Sequence, residues 1–444
     1  MSRLTWVQPE DLVGHEIRQA RESGADPSAV DDIERRWRAA GGHDAPPMAG
    51  ASPVAAPELR RLAEPLLDEL AVLAPVEPDF AEIVARCPRW PVARPAEPSY
   101  DRVLGAWLGR AAGCLLGKPV EKIPRTGVRE IAQATGNWPI RTWFTEVGLP
   151  AEVARRWPWN RRSAPTSLAE NIDGMPEDDD LNYPLLALLL LERHGTGFDT
   201  EDVAGLWLDE VPAGRTFTAE RVAYRNLLCG LEPPVTASYR NPFREWIGAQ
   251  IRTDVYGWVC PGDPARAAEL AWRDARLSHT GNGVYGAMFV AAACAVAVTG
   301  ATVAGVLDAG LSVVPADSRL AEAVRYGMDV AGAGSDLARI LDALQDRYGD
   351  LHWVHAVNNA ALVAASLVHG DGDFGASIAA AVTGGWDTDS DGATVGSIVG
   401  AISGVPPQWS EPLRNRLATS VAGLGEVAFD DLARRTLAVA KGDA

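Results

Sequence analysis

Apolar residues recur along this chain at helical spacing. Val103, Leu104, Trp107, Leu108, Ala111, Ala112, Leu115 and Leu116 fall in the i, i+1, i+4, i+5 order that makes one stripe of a helix over Asp101–Leu116. The same reading predicts helices over Leu181–Glu192, Pro264–Arg276, Gly283–Val298, Leu320–Ala331, Leu337–Tyr348, His355–His369, Phe374–Val382, Ala393–Ser403 and Glu411–Ala422. Nearer the start, Leu12–Ser23, Ala29–Ala40 and Leu59–Leu73 follow suit. No run of alternating β-branched residues competes, so the predicted class is all-α, a compact multi-helix body. His43–Pro57 and Pro88–Pro98, rich in Pro and small residues, read as connections. They divide the chain into an N-terminal helical extension over 1–98 and a main domain over 99–444.

Two predicted helices carry glycine every fourth residue, at Gly105, Gly109, Gly113 and Gly117 and again at Gly392, Gly396, Gly400 and Gly404. Each glycine costs a helix about 1 kcal/mol relative to alanine. Close approach of backbones offsets that cost, so these helices are expected near the centre of the core, packed on one another. Val284–Leu307 carries no charge. Its Ala, Gly and Thr content and the break at Gly300 make it a buried helix rather than a bilayer span.

Composition narrows the function classes. Over 444 residues the formal charge is −18, a field that repels nucleic acid and anionic membrane surfaces. The five cysteines show no C-x-x-C spacing, which predicts free thiols rather than a disulfide framework or a zinc knuckle. No signal pattern opens the chain, and the expected compartment is the cytoplasm.

Candidate chemistry lies in four places. Glu177-Asp178-Asp179-Asp180 stands just before a predicted helix. One or two acids there would serve as caps, but four in a row repel one another unless cations intervene. Asp387-Thr388-Asp389-Ser390-Asp391-Gly392 also precedes a helix. Its D-x-D-x-D-G spacing suggests a calcium loop, yet the twelfth position is Ile398 instead of the bidentate acid an EF-hand requires. Carboxylates and a hydroxyl remain, the donor set of a hard divalent cation. Brought together, two such clusters would form a two-metal centre. Glu121 follows the first glycine-striped helix, where the helix dipole disfavours an acid. Ser278-His279-Thr280-Gly281-Asn282 is a polar step between apolar helices, and Glu245–Asp254 is polar enough to line a cleft.

These four pieces, in this order, resemble the motifs of the ADP-ribosylglycohydrolase family from about Ser99 to the C-terminus. Gly109, Gly113, Gly117 and Glu121 are similar to its G-x-x-x-G-D-A-x-G-x-x-x-E block. Glu177–Asp180 resembles its T-D-D-T, Ser278-His279 its T-H step, and Asp387–Ser390 its D-T-D-T. The resemblance implies an all-α fold holding two divalent cations, Mg²⁺ first, with Mn²⁺ or Ca²⁺ as substitutes. It implies Glu177, Asp178, Asp179, Asp387, Asp389 and Ser390 as ligands, with Glu121, Asp178 and Asp179 as catalytic groups. His279, Asn282, Tyr285, Trp386, Gln250 and Arg252 are candidate substrate contacts. The implied reaction is hydrolysis of an N- or O-glycosidic bond to an ADP-ribosyl or related ribosyl group, through carboxylates able to activate water. A nucleoside-type N-glycosidase acting on a small metabolite and a non-catalytic ADP-ribose-binding protein are the rival readings. Cys114 in place of the usual Asp, and the acids Glu177 and Asp180 in place of threonines, suggest a divergent branch.

Overall fold

The computed structural model describes residues 4–46 and 57–442. Most of the connection expected over His43–Pro57 lies outside the described residues. The architecture is all-α, and the strands among the described residues are a two-residue antiparallel pair, Leu417–Ala418 with Glu426–Val427. The principal helices are α1 Pro9–Glu22, α2 Pro27–Ala39, α3 Pro57–Val72, α4 Tyr100–Gly117, α5 Asp179–His194, α6 Gly281–Ala297, α7 Ala356–Gly370, α8 Phe374–Thr383 and α9 Thr388–Ser403.

The centre of the molecule is the antiparallel pair α4 and α9, the most extensive helix–helix contact. Gly105 faces Gly400, Gly109 faces Gly396 and Gly113 faces Gly392. A Cβ built on any of them would overlap the carbonyl oxygen of its partner. Both stripes are therefore spent on bringing two backbones into contact, which multiplies dispersion contacts along both helices. Gly117 meets the backbone of Thr388 and Asp389, so the same contact ends at the N-terminus of α9. The loop carrying the second acidic motif is thereby fixed against the end of α4. The Thr388 hydroxyl seals the junction by donating to the Gly117 carbonyl at 2.9 Å.

The uncharged stretch resolves into α6, which is buried on almost every side, and a separate helix Val303–Ser312. Gly300, at φ 81°, turns the chain between them. No helix of the described residues is long and apolar enough to cross a membrane.

One expectation needs correction. Glu411–Ala422 is not a helix. A 3-10 turn over Glu411–Leu413 stops at Arg414 and Asn415, whose φ angles of 49° and 52° lie in the left-handed region. Leu417 then bridges Met175 and pairs with Val427. The helical spacing of the apolar residues there reflects burial of Leu413, Leu417 and Val421 from an irregular chain. The N-terminal extension packs onto the main domain through a shared core. Leu12, Val13, Ile17, Val30, Trp37, Leu66 and Leu70 of α1 to α3 share one apolar cluster with Phe243, Trp246, Ile247, Ile251 and Val354. A buried ion pair, Arg244 with Glu16 at 2.7 Å, crosses the same seam.

Candidate active site

Two helix N-termini build the site. Asp178 is the N-cap of α5, and its carboxylate accepts the Asp180 amide at 2.9 Å. Asp387 is the N-cap of α9, and its amide donates to Asn359 Oδ1 at 3.3 Å. Helix dipoles favour acids at both places. The clusters, 210 residues apart in sequence, meet where Ser390 Oγ lies 3.3 Å from Asp180 Oδ2. Cys114, on α4, brings its Sγ to 3.8 Å from the same oxygen. Cys114 Sγ and one carboxylate oxygen each of Asp178 and Asp180 lie within 4.8 Å of one another, a group able to hold a metal ion.

The electrostatics are those of crowded, buried acids. Burial, then the charges of Glu121 and Asp178, push Asp389 up to about 7. Burial and neighbouring carboxylates also raise Asp179, Asp180, Asp387 and Asp391. Both carboxylate oxygens of Asp391 are buried without a hydrogen-bond partner among the described residues. An uncompensated buried carboxylate is costly, and a bound cation relieves that cost. Carboxylate and hydroxyl oxygens are also the donors that Mg²⁺ and Mn²⁺ prefer, so the residues fit a divalent cation.

Protein cations already meet part of this charge. Arg110, fully buried on α4, donates to the Asp180 carboxylate at 3.2 Å, the Asp180 carbonyl at 2.6 Å and the Asp254 carboxylate at 2.8 Å. Lys118 pairs with Asp178. Glu121 stands at the margin of the second cluster, held by Asn160 Nδ2 at 2.6 Å and Lys122 Nζ at 3.0 Å.

The remaining sequence candidates lie elsewhere. Glu177 turns from the cluster: its carboxylate accepts from Ser420 at 2.9 Å, Asn182 at 3.0 Å and Arg215 at 3.1 Å. Arg252 is spent on Asp274 at 2.5 Å and on Glu220 and Ser278, each at 3.0 Å. His279 is buried beside it, with Nδ1 2.8 Å from Ser278 Oγ, and burial holds its pKa well below the usual value. Asn282 bridges Glu245, at 2.9 Å, and the Leu320 amide. Tyr285 is buried beside Arg86, and Gln250 is fully buried with no partner among the described residues. Trp386 packs in an apolar cluster with Leu341, Leu344 and Leu362. The structure thus gathers Asp178, Asp179, Asp387, Asp389 and Ser390 around one place, with Glu121 at its margin. Sequence reasoning left out Asp180, Asp391, Cys114 and Lys118 as members. The acids were legible as neighbours of acids; Lys118 carried no signal beyond its place three residues before Glu121.

With this geometry in view, the sequence model of the ADP-ribosylglycohydrolase family matches residues 95–442. The chain belongs to the ADP-ribosylglycohydrolase family. An uncharacterized protein of Archaeoglobus fulgidus is 27% identical over 315 residues, covering 70% of this chain and 90% of its own. A solved structure described as an ADP-ribosylglycohydrolase-related protein complex aligns with a TM-score of 0.48 at 21% identity, over 78% of this chain and 99% of that one. In this member of the family the matched region takes in the acidic centre, while α1 to α3 precede it.

Proposed function

We propose that this chain is a metal-dependent glycohydrolase, cleaving an N- or O-glycosidic bond between an ADP-ribosyl or related ribosyl group and its aglycone. The observation that carries the reading is the meeting of the two acidic helix N-termini at the Ser390–Asp180 contact. Asp179, Asp387, Asp389 and Ser390 are proposed to hold Mg²⁺ or Mn²⁺, with Asp178 and Asp180 at their side. A divalent cation held by these residues would supply Lewis acidity toward the ribose hydroxyls.

The chain's own groups would do the rest. Glu121, partly exposed, can take a proton from water approaching the anomeric carbon. Asn160 and Lys122 orient its two oxygens, one on each. The buried carboxylates would stabilise positive charge developing on the sugar. Free thiols at all five cysteines agree with a proposed cytoplasmic setting.

The test is release of free ribosyl sugar from a panel of ADP-ribosylated proteins, O-acyl esters and nucleosides, with and without Mn²⁺. Release that needs metal and falls at least a hundredfold in Glu121→Gln is the expected result. Cleavage confined to substrates without the pyrophosphate would favour a nucleoside-type glycosidase. Binding of ADP-ribose with no turnover across the panel would reduce the protein to a binder.

A further inference from the structure

Lys118 is the first residue after α4. The chain there has little freedom: Gly117 is wedged against the backbone of Thr388 and Asp389, and Pro119 follows. The side chain enters the acidic centre. Its Nζ pairs with Asp178 Oδ2 and lies 3.5 Å from the Glu177 carbonyl, and only 7% of the side chain is exposed. Lysines are almost never buried to this degree unless paired. The nearby Lys122 has a different position, on Glu121 and over the Trp353 ring at 5.9 Å.

The pairing makes the centre asymmetric. Asp178 has one oxygen on Lys118 and the other on the Asp180 amide, so its charge is already met in part by the protein. Asp180 shares its charge with Arg110. On the other helix, Asp387, Asp389 and Asp391 have no lysine or arginine partner among the described residues. One half of the site therefore already carries direct ion pairs, and the other meets Lys118 and Lys122 only at longer range. An ammonium and a divalent ion cannot share one carboxylate oxygen, since like charges at that distance repel strongly in a buried setting.

We infer that Lys118 is a built-in cation. Its ammonium takes the place of one of the two ions that the acidic centre would otherwise hold, leaving a single divalent ion on the Asp387 and Asp389 side. The inference rests on the metal-dependent reading above and specifies its stoichiometry.

Calorimetric titration of the metal-stripped full chain with Mn²⁺ tests it, alongside low-temperature electron paramagnetic resonance of the loaded protein. The comparison is Lys118→Met, which keeps the length of the side chain and removes the charge. The expected result is one ion per wild-type chain with the spectrum of an isolated Mn²⁺, and two ions in Lys118→Met with an exchange-coupled spectrum. Two ions in the wild type, or one ion in both proteins, would overturn the inference while leaving metal dependence standing. No ion in either would remove the metal-dependent reading and this inference with it. If Lys118→Met fails to fold by circular dichroism, Lys118→Gln, which keeps a donor toward Asp178, is titrated in its place.

Discussion

At the residue scale the acidic centre and the arginine network behave oppositely when cut. Burial, and then the neighbouring carboxylates of Glu121 and Asp178, raise the pKa of Asp389 to about 7. Without metal, an Asp389→Asn change relieves repulsion, so its melting temperature should equal or exceed that of the wild type. The same change should weaken Mn²⁺ binding at least a hundredfold by calorimetry and erase metal-induced stabilisation. A fall in metal-free stability would mark the acid as structural. Arg252 is the contrasting case. It is fully buried and neutralises both Asp274 and Glu220. Arg252→Met leaves those charges uncompensated and should cost about 3–5 kcal/mol in urea unfolding. An unchanged midpoint with a raised KM would instead return Arg252 to substrate contact. The two cases show what the sequence could reveal about the site. Runs such as Asp178–Asp180 and Asp387–Asp391 are visible because crowded acids demand a cation. Whether an isolated Arg or His meets a substrate or a buried acid depends on residues distant in sequence, as Glu220 is from His279, and Glu220 and Asp274 are from Arg252.

At the scale of elements, the glycine stripes were the most legible feature of the fold. A four-residue glycine period has little other physical use in an apolar helix, and it marks α4 and α9 as partners. Gly109→Ala places a methyl group on the Gly396 carbonyl, with backbone on both sides and no flexible side chain to yield. It should destabilise the fold by about 1–3 kcal/mol or more, the usual range for overpacking. It should also weaken metal binding, because the α4–α9 contact fixes the loop at Asp387. Gly205→Ala, in the Thr200–Glu210 helix with open space around it, is the control and should be neutral or mildly stabilising. Equal effects at both positions in urea unfolding would show that the stripe does not carry the packing. Helical spacing misled at Glu411–Ala422 because period alone cannot distinguish a helix from an irregular segment with three buried contacts. It passed over Val303–Ser312 as a separate helix because the apolar run continued across Gly300.

At the scale of the whole molecule, the seam joining α1 to α3 to the body is built around neutral imidazoles. His15 packs edge-on against Phe243 and Trp246, and His352 stacks on Trp246 at 4.2 Å. His355 caps α7 nearby. Burial lowers all three, His15 and His355 to about 3 and His352 to about 2. Arg18 adds to the effect at each, as do His43 at His15, Arg319 at His355, and the other two histidines at His352. The carboxylates of Glu22 and Glu245, each 3.8 Å from His355 Nε2, oppose it there without prevailing over burial. A depressed folded pKa contributes stability that is present above the unfolded value of about 6.5 and is lost as pH falls toward the folded value. Each imidazole therefore removes up to about 1.4 kcal/mol per pH unit below about pH 6.5. Asp389, raised to about 7, works in the opposite direction, since an acid with a raised pKa stabilises the fold as pH falls. The histidine contribution is thus read as a difference between proteins. His352→Phe keeps a flat ring on Trp246 and removes one titrating group. Urea unfolding from about pH 6.5 to about pH 4.5 should show the wild type losing stability more steeply than His352→Phe. Parallel slopes would mean that His352 is not held neutral in the native state.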